Sequence, residues 1–150
     1  MNFWQKMKKL IPLRHVIFIL ILFAVTLVIF YFDSAEDIKV TFGDEAVDVK
    51  SKSYYLNIPY DMVEQVELAP IVDGGTKVTG GDNMVTRTGV WQNDTWGEYH
   101  ICADLDCANG IVVYLTDGQI FVFSRKNDTE TAAIYEQLLS HLPQPVTPAA

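Results

Sequence analysis

Ile111-Val112-Val113-Tyr114-Leu115-Thr116-Asp117-Gly118-Gln119-Ile120-Phe121-Val122-Phe123-Ser124 decides the fold class of this chain. Two short runs rich in β-branched and aromatic residues flank an Asp-Gly pair. Such side chains fit a pleated sheet surface. Asp-Gly tolerates the backbone that a tight hairpin turn requires. The stretch predicts a β-hairpin, and it is the strongest local signal in the 150 residues.

Beyond the hairpin, Asn127-Asp128-Thr129-Glu130 reads as a helix start. An Asx side chain accepts the first N–H groups, and acidic residues in the first turn complement the positive end of the helix dipole. The helix is predicted from about Thr129 to Leu142. Ile134, Leu138, Leu139 and Leu142 form one stripe, and Pro143 ends it. The tail 143–150 (PQPVTPAA) is expected to be disordered.

Ahead of the hairpin lie further β-like stretches. Ile38, Val40 and Phe42 alternate with polar residues up to a turn at Gly43-Asp44. Tyr54, Leu56 and Ile58 share a face until Pro59, which bars a central ladder position. Asp61 to Leu68 is ambiguous and reads as a helical turn leading into a strand. Residues 73–83 (DGGTKVTGGDN) hold four glycines and read as a loop. Met84 to Gln92 and Trp96 to Ala103 are strand-like. No internal repeat is apparent.

The N-terminal part differs. Val16 to Phe32 (VIFILILFAVTLVIFYF) is 17 residues without charge, Pro or Gly. That length reaches the lower limit for crossing a bilayer core, and such a run must be helical to satisfy its own backbone. Four of the eleven basic residues (Lys6, Lys8, Lys9, Arg14) precede it, and all nineteen acidic residues follow it. The charge is therefore +4 ahead and −12 behind, for a net −8. Positive flanks stay inside, so residues 1–15 are assigned to the cytoplasm and the rest to the outside. A cleaved signal peptide has a shorter apolar region and a small-residue cleavage site, and Phe30-Tyr31-Phe32-Asp33 offers none. The expected organisation is a transmembrane helix at 16–32, a linker at 33–37 and a domain at 38–142. So acidic a domain has no basic surface for a phosphate backbone, so no nucleic-acid partner is expected.

Three stretches, taken together, resemble bacterial pleckstrin-homology-like domains. They are Asn57-Ile58-Pro59-Tyr60-Asp61-Met62-Val63, the hairpin run Ile111 to Ser124, and Asp128-Thr129-Glu130-Thr131 through Tyr135-Glu136-Gln137-Leu138. The resemblance implies an α+β, mainly β fold: a half-open antiparallel barrel of about seven strands capped by the C-terminal helix. Such domains often sit beside transmembrane helices. The basic loop that binds phosphoinositides in eukaryotic relatives is not matched. Asp44, Glu45 and Asp48 stand where that activity wants Lys or Arg, so phosphoinositide binding is not expected.

Chemistry-bearing residues are few. His100, Cys102 and Asp104 alternate along one predicted strand, which places them on one face, and Cys107 follows in a loop. Three arrangements fit: a Cys102–Cys107 disulfide, two thiols, or a metal site of His100, Cys102, Asp104 and Cys107. An extracytoplasmic domain with two cysteines favours the bond. Trp91, Trp96 and Tyr99 are a candidate aromatic partner surface, or else core and barrel-rim residues. No Gly-x-Ser-x-Gly turn, phosphate loop or dinucleotide fingerprint is present. No catalytic residue and no cofactor is assigned. The reading is a non-catalytic membrane-tethered module that binds an envelope protein or peptide. The alternative is a small-ligand or metal sensor, or a weak enzyme, centred on His100, Cys102 and Asp104.

The orientation is testable in intact cells. A membrane-impermeant thiol reagent should label a cysteine introduced at Asp117, in the predicted turn, before lysis. Labelling only after lysis contradicts it.

Overall fold

The structure is a computed structural model that describes residues 13–34, 37–71, 75–83 and 85–143. The expected cytoplasmic stretch up to residue 12, most of the tail and part of the linker lie outside the described residues. The chain divides into two compact units, Met1–Ala35 and Glu36–Ala150.

In the first unit, α1 (Leu13–Ser34) is a helix of 22 residues. At 1.5 Å per residue it is about 33 Å long, which matches a hydrocarbon core of about 30 Å. Its 18-residue span Leu13–Phe30 is apolar and exposed along its length. The Thr26 hydroxyl donates to the Leu22 carbonyl at 2.8 Å, so this polar group is satisfied within the helix. The helix is long and apolar enough to cross a membrane.

The second unit holds nine strands among the described residues. A three-stranded antiparallel sheet comprises β1 (Lys39–Phe42), β2 (Ala46–Lys50) and β3 (Tyr55–Pro59). A single 3-10 turn, Tyr60–Met62, leads into β4 (Val63–Pro70). The remaining strands are β5 (Thr76–Asp82), β6 (Thr86–Asn93), β7 (Gly97–Asp104), β8 (Asn109–Leu115) and β9 (Ile120–Phe123). They form a six-stranded sheet in the order β4-β8-β9-β7-β6-β5. Helix α2 (Asp128–His141) follows.

The predicted hairpin is β8–β9, with Val112 opposite Val122. Its turn closes through left-handed Gly118, whose N–H donates to the Leu115 carbonyl at 2.9 Å. The Asn127 side chain caps α2 by accepting the Glu130 N–H at 2.9 Å, as the sequence pattern requires. Leu138 is fully buried and Leu142 nearly so.

Two features depart from the expected barrel. There are nine strands rather than about seven, and β7 and β9 run parallel. The parallel pair arises because β9 folds back between β8 and β7. The glycine-rich segment read as a loop is strand β5, paired with β6. Glycine there serves close approach rather than irregularity. Gly80 and Gly89 face each other with φ of +109° and +111°. A Cβ on Gly89 would lie 2.2 Å from the Thr79 carbonyl oxygen.

β4 and β5 are opposite edges of this sheet. If it were flat, five strand spacings would separate them by about 24 Å. Six Cα steps from Pro70 to Thr76 reach at most about 21 Å, and Thr76 pairs with the distal end of β6. The sheet is therefore strongly curled, although β4 and β5 are not hydrogen-bonded to each other and it stays open. One face packs with β2, β3 and α2 in the main core, which includes Val49, Ile58, Ile111, Phe123 and Leu138. The other holds a second cluster of Trp91, Tyr99, Ile101, Val112 and Val122.

Gly89→Ala combines a left-handed backbone with a clash against rigid main chain. It should destabilise the domain by at least about 2 kcal/mol in denaturant titration.

Candidate functional site

His100, Cys102 and Asp104 all lie on β7, but they are not drawn together. Four residues of strand span about 13 Å, too far for one ion. The His100 Nδ1 lies 2.7 Å from the Tyr54 hydroxyl, and its ring packs against Phe121 at a centroid distance of 5.0 Å. The imidazole thus links the start of β3 to the six-stranded sheet. Cys102 is fully buried in the main core. Burial, and then the Cys102 thiol, push the Tyr54 phenol above its usual range.

The expected disulfide does not form. The Cys107 thiol instead donates to the Arg125 carbonyl and lies 3.7 Å from the Thr131 hydroxyl. Burial pushes its pKa up, which keeps it a protonated donor rather than a thiolate. Cys107 therefore joins the loop after β7 to the start of α2. Among the described residues no group of three or more His, Cys, Asp and Glu side chains is placed to hold a metal ion.

Asp104 is 7 % exposed, and burial raises its carboxyl pKa. The Asp106 N–H, 3.0 Å from its Oδ1, offsets part of that rise. Ser124 closes the arrangement, donating its hydroxyl to the Asp104 carbonyl at 3.2 Å and accepting the Asp104 N–H at 2.9 Å. These contacts lock β7 to the end of β9.

The aromatic trio is not a surface. Trp91 is 4 % exposed and Tyr99 is fully buried, and Trp96 meets Tyr99 edge-on at 5.1 Å. Trp91 and Tyr99 lie opposite each other on β6 and β7 and build the second cluster.

Two features carry no sequence signal strong enough to place them beforehand. The first is an open cleft of about 800 Å³ lined by Asp44, Glu45, Asp61, Tyr60, Met62 and His141, among others. The His141 ring stacks with Phe42 at 5.0 Å and Tyr60 at 5.6 Å. Its Nδ1 lies 2.9 Å from the Gln137 carbonyl, which can only accept, so this nitrogen carries the proton. The second is β5. Every residue of it is exposed, and among the described residues its outer edge has no neighbouring strand. Glycine-rich composition concealed it. The alternation of Lys77 and Thr79 with Thr76 and Val78 was its only cue.

No family model, no curated protein and no solved structure matches this chain.

A carboxyl with a raised folded-state pKa favours folding below its unfolded pKa of about 4, and that contribution is lost as pH rises through the folded value. Asp104→Asn keeps the acceptor for Asp106. It should raise the melting temperature at pH 7, and the gain should vanish on acidification below about pH 4 in a pH series of thermal melts.

Proposed function

We propose that the chain is a single-pass membrane protein with a cytoplasmic N-terminus and an extracytoplasmic, non-catalytic pleckstrin-homology-like module. In this reading the module takes an extended peptide segment of another envelope protein along the outer edge of β5. The exposed, unpaired β5 edge carries the proposal. An unpaired strand presents a row of N–H and C=O groups that an extended peptide can complete as an added strand. Lys77 and the register shift between Lys77 and Thr79 blunt the edge against indiscriminate pairing. Val78, 49 % exposed, is the apolar contact it offers. The α1 helix and the basic flank ahead of it support the membrane tether. The β-sheet domain followed by a C-terminal helix supports the class, and the parallel β7–β9 pair departs from it.

A photo-crosslinking residue placed at Val78 in living cells should give a discrete adduct with one envelope protein. The same residue at Tyr55, exposed on the other sheet, should not. Equal or absent adducts at both positions contradict the proposal.

A further inference from the structure

Gly80 and Gly89 face each other across β5 and β6. A Cβ built on Gly80 would lie 2.6 Å from the Gly89 Cα. The two Cα atoms therefore stand closer than the roughly 5.5 Å of a hydrogen-bonded antiparallel pair. Theirs is the narrow kind of pair, in which N–H and C=O point away from the partner strand. The Gly80 N–H and C=O thus face the outer edge of β5, which has no neighbouring strand among the described residues. Neither glycine carries a side chain, so the sheet is bare backbone at this point, and Gly80 is exposed.

Opposed residues of an antiparallel ladder share a face. Lys77 opposes Trp91 and Asp82 opposes Arg87, so both border the bare backbone on the face of Gly80 and Gly89. The register shift between Lys77 and Thr79 brings Lys77 to two ladder steps from Gly80. Asp82 is already engaged, with a carboxylate oxygen 3.7 Å from the Arg87 Nε, and the Arg87 guanidinium lies 4.3 Å from the Trp91 ring centre. Lys77 is exposed and is the one cation of β5. Glycine weakens a strand because it packs nothing against its neighbours, and an aromatic ring on the adjacent strand offsets that loss by covering the bare backbone.

We propose that the peptide added to β5 runs antiparallel to it, with a Phe, Tyr or Trp opposite Gly80 and an Asp or Glu two residues later, opposite Lys77. The proposal rests on the β5-edge reading and specifies what that edge selects. Antiparallel addition is the more stable per residue. The peptide residue opposite Gly80 exchanges both backbone hydrogen bonds with it, and its side chain falls on the bare face. Moving back along β5 from Gly80 to Lys77 is moving forward along the peptide, so the order is aromatic-x-acidic. The domain carries −12 overall and repels an acidic group in general, so the cation at Lys77 favours the register that brings one there.

The test is selection of a phage-displayed library of random peptides on the full-length protein in detergent, followed by crosslinking of each selected peptide to a photo-reactive residue at Val78. Peptides that crosslink should share the aromatic-x-acidic pattern. Replacing the ring by Ala in a selected peptide should weaken binding about fivefold. Selection on Lys77→Glu should keep the aromatic residue and exchange the acidic one for Lys or Arg. Crosslinking peptides without the pattern, or an unchanged selection on Lys77→Glu, overturn this inference and leave the edge reading standing. Selection that yields no peptide crosslinking at Val78 overturns both.

Discussion

Strand β9 is the piece on which the rest of the domain depends. It is four residues long, yet it joins β8 on one side and β7 on the other. Phe121 and Phe123 face the main core, and Val122 faces the second cluster. A strand buried on both faces and paired on both edges fixes its neighbours in register, because a one-residue slip would exchange the two faces. That register sets where β7 lies. β7 in turn places His100 against Tyr54, Cys102 in the core and Tyr99 in the second cluster. Burying the two phenylalanine side chains contributes on the order of 2–3 kcal/mol each by area.

Curling of the six-stranded sheet follows from a second constraint, the short chain between its edge strands. The curl brings Gly75 against Tyr99 and Trp91, and Ile71 within reach of Gly110. It also leaves β5 on the outside, paired on one side alone among the described residues.

Local signals were legible where a residue's role is set by its near neighbours. The Asp-Gly hairpin, the Asn127 cap, the stripe of Leu138 and Leu142 and the apolar N-terminal helix all belong to that kind. The face alternation of Tyr99, Ile101 and Ala103 against His100 and Cys102 was readable as well. What could not be read depends on contacts distant in sequence. The insertion of β9 between β8 and β7 is a matter of topology. The pairing of Gly80 with Gly89 turns apparent loop glycines into strand residues. Alternation places His100, Cys102 and Asp104 on one face, but their spread along the strand keeps them from sharing a ligand. Cys107 meets Arg125 and Thr131, partners distant in sequence that no local pattern indicates.

The central claim is that a tightly determined β7-β9-β8 core carries an open β5 edge. Native-state hydrogen exchange on the full-length protein, resolved by residue, tests it most directly. The amides of Ile101, Val112 and Val122 should open only with global unfolding, while the outward-facing amides of Thr76–Asp82 exchange orders of magnitude faster. Uniform protection of β5 at the level of β9 would contradict the account, because it would mean that the edge is already covered.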